Sequence, residues 1–268
     1  MSDQELPRQD CAATVLGGPT TVIDAGGLRV VVDPTFDDPG PHGYLTKTLG
    51  PALTEDRLGA VDLVLVSHDA HPDNLDDRGR AFARAAHLTL TVPGAADRLG
   101  APAVGLAPWA TFVLPRPDGG GDLSVLAVPA VHGPEDGERD PEGNINCEVT
   151  GFVLSGRGLP TVYVSGDNAS MRAVAAIARH VPEIDAAVLN AGAARVPGKF
   201  RRRPVSMDGH RAAAAAAVLG VTVVIPAHYD GWTHFSEGRA ELETAFDEAG
   251  LSALLRLADH GSWSALRG

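Results

Sequence analysis

VDLVLVSHDAHPDNLD, residues 61–76, opens as a strand and ends in chemistry. Five of its first six residues are apolar, a valine-rich run too short for a helix, so it predicts a strand buried on both faces. Ser67, His68, Asp69, His71, Asp73 and Asn74 follow within eight residues. In α/β proteins functional groups sit outside the carboxyl ends of strands. Imidazole nitrogens and carboxylate oxygens at this density are the ligand set of a borderline metal such as zinc. A polar loop capping the next helix through Asp73 or Asn74 is the plainer alternative, but a cap needs one such residue and leaves two histidines unexplained.

Three more strand ends repeat the pattern. Residues 123–131 stop at His132, residues 161–165 lead into Gly166, Asp167 and Asn168, and residues 221–226 lead into Ala227, His228, Tyr229 and Asp230. Four strands therefore deliver His or Asp at their ends, an order that independent accident does not readily produce. His132 is followed by the acidic, glycine-rich GPEDGERDPEGN, which suits a lid over a site as well as it suits an ordinary surface loop.

Length and composition bound the rest. A chain of 268 residues can bury a full core, and with no low-complexity linker or fixed-period repeat we expect a single domain over residues 1–268. The start, MSDQELPRQD, has neither a basic beginning nor an apolar centre, and no apolar run approaches the roughly 20 residues of a membrane span. Cys11 and Cys147 are far apart and form no paired metal motif. A cytoplasmic protein in a reduced compartment follows as the expectation. The formal charge of −12 weighs against nucleic acid, and no membrane-binding stretch stands out. The expected partner is a small-molecule substrate; self-association into a homo-oligomer stays open.

Along the chain, residues 12–33 predict a three-stranded meander, with Asp33 either beginning a turn, the reading we favour, or pointing into the site as an acceptor. Residues 35–51 predict a Gly/Pro-rich loop with His42 in solvent. A helix over residues 75–86 would place Asp73 or Asn74 at its N-terminus, where the helix dipole favours anions. Short strands at 88–92, 103–106 and 110–114 flank a brief helix near 95–99, and PDGGG at 117–121 reverses the chain. Ser206 is the expected cap of a helix running through six alanines to Leu219, with Gly220 as its stop. A last helix over 237–249 and a strand over 254–257 complete the reading, with His87, His180, His210 and His260 left as surface or capping residues.

The ordered set His-x-x-His-x-Asp, His, Asp, His resembles the metallo-β-lactamase superfamily over nearly the whole chain. The segments GGPTTVID, GLRVVVDPTF, YVSGDN and IPAHYDGWTHFSEG are similar to its branch of L-ascorbate-6-phosphate lactonases and other metal-dependent hydrolases. The resemblance implies an α/β fold, a four-layer αββα sandwich, with a metal site along one edge of its two sheets. It implies His68, His71 and His132 as ligands of one metal, and Asp73, the bridging Asp167 and His228 as ligands of a second. The family motif His-x-His-x-Asp-His is one residue shorter between its histidines and ends in His where this chain has Asn74, whose carbonyl is a harder, weaker ligand. The longer spacing leaves His71 or Asp69 as the second ligand; we favour His71. The expected cofactor is one or two divalent metals per chain, zinc first, with manganese or iron as alternatives.

Such a site supports hydrolysis. A bound divalent cation lowers the pKa of its water to about 7, so hydroxide is available at neutral pH, and polarises a carbonyl or phosphoryl oxygen. The candidate catalytic groups are Asp73, to orient the nucleophile and take its proton, and His234 or Tyr229 as general acid. The candidate substrate contacts are Asn74, Trp232 and Arg201. Trp232 belongs to an aromatic stretch that could equally be core. Arg201 lies in RVPGKFRRRP, residues 195–204, whose four arginines and one lysine fit a substrate phosphate or carboxylate, or simply a solvated loop. The expected activity is metal-dependent hydrolysis of a small, anionic lactone, ester, amide or phosphodiester. The alternative is a degenerate member of the fold that binds or regulates.

Overall fold

The opening meander forms as β1 (Cys11–Gly17), β2 (Thr20–Ala25) and β3 (Leu28–Val32), with Gly26 and Gly27 at φ 62° and 79° making the second turn. The computed structural model describes residues 5–268, so residues 1–4 of the segment considered for a leader lie outside it. Residues 35–51 are not all loop. They hold a hairpin, β4 (Gly40–His42) and β5 (Leu45–Lys47), tied to a distant segment by the Thr48 N–H to the Gly231 carbonyl (2.7 Å) and the Thr233 N–H to the Thr46 carbonyl (3.0 Å).

The strand of the quoted stretch is β6 (Leu63–Leu65), followed by α1 (Asp77–Ala85), β7 (Thr89–Thr91), α2 (Pro93–Leu99) and β8 (Ala103–Gly105). Both faces of β6 are buried, as its unbroken apolar run predicts. Leu63 and Leu65 enter the core between the sheets, while Val64 and Val66 pack with Leu75, Ala83 and Leu99 on the helical side. Asp76 caps α1, accepting the Gly79 N–H at 2.8 Å. Its carboxylate also takes the Phe36 and Asp37 N–H groups at 3.0 and 2.8 Å and the buried Lys47 ammonium at 3.0 Å. Capping thus falls to Asp76, and Asp73 and Asn74 are free for other work.

The second half supplies β9 (Thr111–Pro115), β10 (Asp122–Pro129), β11 (Thr150–Gly156), β12 (Val162–Val164), α3 (Met171–His180), β13 (Ala186–Asn190), α4 (Gly209–Leu219), β14 (Val223–Ala227), α5 (Arg239–Glu248) and β15 (Ser264–Ala265). Asp208, not Ser206, caps α4; the Ser206 hydroxyl instead accepts the Ala194 N–H at 3.0 Å. Residues 254–257 form no strand beyond a single bridge from Leu255 to Val224.

Two sheets face each other, seven strands in the order β15-β1-β2-β3-β6-β7-β8 and six in the order β14-β13-β12-β11-β10-β9. Val30, Val32, Leu63 and Leu65 of the first meet Phe152, Val164, Val188 and Ile225 of the second. The outward side chains Tyr163, Ala187, Leu189 and Val224 pack under the helices with Val174, Ile177 and the alanines of α4. Helices thus cover both outer faces, the αββα arrangement. The slim alanine face of α4 lets it lie close to the sheet.

Topology places the site. β3 and β6 run parallel in one sheet, β12, β13 and β14 parallel in the other. β10 and β12 both pair antiparallel with β11 and so share a direction. The carboxyl ends of the four strands that carry the candidate residues therefore gather at one edge of the sandwich. Gly166, at φ 51°, makes this approach possible: a methyl there would lie 2.6 Å from both Ser67 Cβ and the Thr150 carbonyl. No helix among the described residues is long and apolar enough to cross a membrane.

Candidate metal centre

The ends of β6 and β10 converge first. The His68 Nε2 lies 2.9 Å from the His71 Nδ1, and the His132 Nε2 lies 3.1 Å from that same atom. Their outer nitrogens fix the tautomers. His132 Nδ1–H donates to the Val205 carbonyl at 2.8 Å, and His68 Nδ1–H to the Ser67 hydroxyl at 3.1 Å, since that hydroxyl gives its own proton to Asp33 at 2.8 Å. Two lone pairs therefore face His71 Nδ1, which has at most one proton to offer. Burial and the neighbouring imidazoles push His68 down to about 4 and His71 to about 2, so both rings are neutral at physiological pH. Convergent imidazole nitrogens that cannot all be hydrogen-bonded to one another are the donor set a cation resolves.

The ends of β12 and β14 meet the rest of the quoted stretch beside them. His228 Nε2 lies 3.2 Å from Asp73 Oδ2 and 3.5 Å from Asp167 Oδ1, and the donor atoms of Asp73, Asp167 and His228 all lie within 4.8 Å of one another. His234 Nε2 reaches Asp73 Oδ2 at 2.9 Å. Burial would raise the Asp73 carboxyl, but its hydrogen bonds to His228 and His234 hold it well below the ordinary carboxylate range. For Asp167 burial is likewise outweighed, by the imidazoles of His228, His132 and His68. Asp73 Oδ1 and Asp167 Oδ2 are buried without a hydrogen-bond partner. Orphaned carboxylate oxygens beside the three-imidazole cluster fit one or two divalent cations shared between the groups.

The extra residue in His68-Asp-Ala-His71 has a visible effect. Asp69 turns outward and pairs with Arg98 at 2.6 Å and Arg80 at 3.2 Å, while His71 turns in. Asn74 is fully buried, donates its amide to Asp33 at 3.3 Å and leaves its Oδ1 without a partner. Tyr229 is not brought to the cluster. His228 takes a left-handed backbone, φ 58°, which sends the next side chain the other way, into the core beneath the helices. Burial and the charge of nearby Asp230 push the Tyr229 hydroxyl up to about 12. Trp232 is buried between His42, Lys47 and His234 (ring centroids 5.4 Å from His42 and 6.3 Å from His234), so it braces His234 more than it faces solvent. Arg201 lines a cavity of about 1150 Å³ between the acidic loop after His132 and the basic loop at 195–204. His180 stacks on Trp109, His210 pairs with Glu248, His260 pairs with Asp230, and His87 is exposed.

Four further residues belong to the site. Asp33 is an acceptor aimed at it, not the start of a turn: its carboxylate takes the Ser67 N–H at 2.6 Å, the Ser67 hydroxyl and the Asn74 amide. Burial pushes Asp33 up to about 7 despite the hydrogen bonds from Ser67. Asn190, at the end of β13, orients Asp167 through Nδ2 at 2.9 Å. Tyr44 stands exposed at the hairpin turn; partial burial and the Asp73 carboxylate push its hydroxyl up to about 12. Cys147 brings its Sγ to 4.0 Å from His71 Nδ1. Spacing alone singles out none of these, although Asp33 and Asn190 share the strand-end position of the candidate ligands.

Because Asp33 holds Ser67, and Ser67 holds the His68 tautomer, Asp33→Ala is expected to weaken metal binding by about 10–100-fold. Isothermal titration of the chelator-stripped variant with zinc measures this, and an unchanged affinity would remove Asp33 from the metal's support.

Residues 28–229 match the model of the β-lactamase superfamily domain. The chain belongs to that family. The matched span reaches from β3 to one residue past His228 and leaves His234 outside. The UPF0173 metal-dependent hydrolase of Hyperthermus butylicus is 28% identical over 253 residues, covering 89% of this chain and 92% of that protein. Among solved structures, one described as a possible metal-dependent hydrolase from Veillonella parvula superposes with a TM-score of 0.80 at 16% identity, over 96% of this chain and all of that one. The isothiocyanate hydrolase from Delia radicum gut bacteria superposes with a TM-score of 0.78 at 19% identity, over 95% of this chain and 98% of that one. At these identities the superpositions speak for the family fold.

Proposed function

We propose that this chain is a metal-dependent hydrolase of a small, anionic molecule carrying a lactone, ester, amide or phosphodiester. One observation carries the reading: imidazole nitrogens and unpartnered carboxylate oxygens converge in two groups at a sheet edge. His68, His71 and His132 would hold one divalent cation, and Asp73, Asp167 and His228 a second. The cations would supply water of lowered pKa and polarise the substrate oxygen.

The chain's own groups do the rest. Asp73 takes the proton released as water attacks and returns it to the departing oxygen or nitrogen, while His234, whose Nε2–H donates to the same carboxylate, holds it in place. Tyr44, on a hairpin stitched to the His234 segment, contacts the substrate from the open side. Arg201, with no acidic partner among the described residues, and Lys199 provide the positive edge of the cavity for a substrate carboxylate or phosphate. Asn74 supports Asp33 and the ligand loop from below, and Trp232 fixes the His234 ring.

Elemental analysis of protein purified without chelator, followed by assay on a panel of the four bond types plus an isothiocyanate, tests the proposal. Two metal equivalents and turnover that chelation abolishes and zinc, manganese or iron restores are expected. Stoichiometric metal with no turnover on any member would favour the binding or regulatory alternative.

A further inference from the structure

Four donor atoms, not three, surround the first metal position. The nitrogens of His68, His71 and His132 and the Cys147 Sγ all lie within 4.8 Å of one another. In a tetrahedral zinc site with bonds of about 2.0–2.1 Å to nitrogen and about 2.3 Å to sulfur, a nitrogen and the sulfur stand ~3.6 Å apart. The observed 4.0 Å from sulfur to His71 Nδ1 is within a small shift of that value.

Cys147 arrives by a route unlike that of the other ligands. It sits on the long connection between β10 and β11, not at a strand end. Asn146 adopts a left-handed backbone, φ 69°, of the kind Asn tolerates, and so redirects the chain just before the cysteine. Buried Ile145 anchors the segment, and the Lys199 ammonium donates to the Asn146 Oδ1 at 2.7 Å, tying it to the basic loop. A separate observation says that a cation belongs between these groups: three imidazole nitrogens converge and cannot all be hydrogen-bonded to one another.

We infer that Cys147 is a fourth protein ligand of the first metal, a thiolate completing a three-nitrogen, one-sulfur donor set with His68, His71 and His132. The inference rests on the metal-site reading above. On binding, the S–H bond breaks, its proton leaves to solvent, and the sulfur electron pair forms the bond to the cation. A soft donor among imidazoles favours zinc, cobalt and cadmium over manganese or magnesium. Its mount on a loop held by Lys199 couples the cavity wall to the metal's coordination sphere.

Cobalt titration of the full chain carrying Cys11→Ser, which leaves Cys147 as its one thiol, gives separate readouts. Visible ligand-field bands report cobalt on the histidines; a near-ultraviolet thiolate-to-cobalt charge-transfer band reports sulfur. Both are expected to grow together and saturate at the first equivalent. Ligand-field bands without the charge-transfer band would overturn the Cys147 assignment while leaving the metal site standing. Absence of both would overturn the metal-site reading and this inference with it. Cys147→Ser, checked for folding by circular dichroism, is expected to lose the charge-transfer band and to bind cadmium roughly tenfold or more weakly with little change for manganese. Equal losses for the two metals would assign Cys147 a packing role only and overturn the inference.

Discussion

Asp73→Ala is expected to lower kcat by about 10⁴-fold, about 5.5 kcal/mol of transition-state stabilisation, on whichever bond class the protein hydrolyses. The size follows from how many parts meet at this one carboxylate. Oδ2 accepts from both His228 and His234, and Oδ1 is buried with no partner. In the proposed mechanism truncation takes away a ligand of the second group, the acceptor of the attacking water's proton, and the partner that holds His234 in place. Effects of groups that act as a unit do not divide into separate contributions, so the loss should approach that of emptying the second position altogether. Two measurements check it together: steady-state kinetics, and metal content falling from two equivalents to one. The isostere Asp73→Asn keeps the volume and separates chemistry from packing. A variant within tenfold of the parent kcat would remove Asp73 from the reaction.

Much of this arrangement was legible in the sequence because strands report themselves. A run such as Leu63–Leu65 with no polar alternation has to be buried on both faces, and only a layered α/β architecture does that for several strands. Polar groups that end such runs abruptly are then carried to one edge, which is why His68, His132, Asp167 and His228 could be picked out before any contact was known. What escaped depends on partners far away in the chain. Asp33 looks like a turn residue until Ser67 and Asn74 are seen donating to it. Asp73 and Asn74 look like caps until Asp76 takes that position. The direction of Tyr229 depends on one left-handed residue, His228, and a positive φ at a histidine leaves no mark in composition or periodicity. Cys147 is the extreme case: a lone cysteine on a glycine-rich acidic loop acquires meaning only from three histidines 15 or more residues away.

Removing the metal is expected to lower the melting temperature by about 10 °C, and by more at high pH than at low. Ligands that bind the folded chain alone stabilise it by about 4 kcal/mol at 1,000 times their dissociation constant, and about 2–4 °C per kcal/mol is usual for domains of this size. The pH dependence comes from groups beside the metal position. In the stripped protein burial would lower His228, but Asp167 and Asp73 raise it above its ordinary value, and burial raises Asp33 to about 7. Through these two groups the folded state binds more protons than the unfolded chain around neutrality, so the stability they contribute is present at lower pH and is lost as pH rises through their folded values. Metal binding runs the other way, because it requires the proposed ligands, His228 among them, deprotonated and tightens as pH rises. The gap between loaded and stripped protein should accordingly widen from pH 7 to pH 8.5. Differential scanning calorimetry with and without chelator at the two pH values measures it. Equal melting temperatures at both would mean that the buried carboxylates and imidazoles hold their places without a cation, and the case for a metal centre would fall with them.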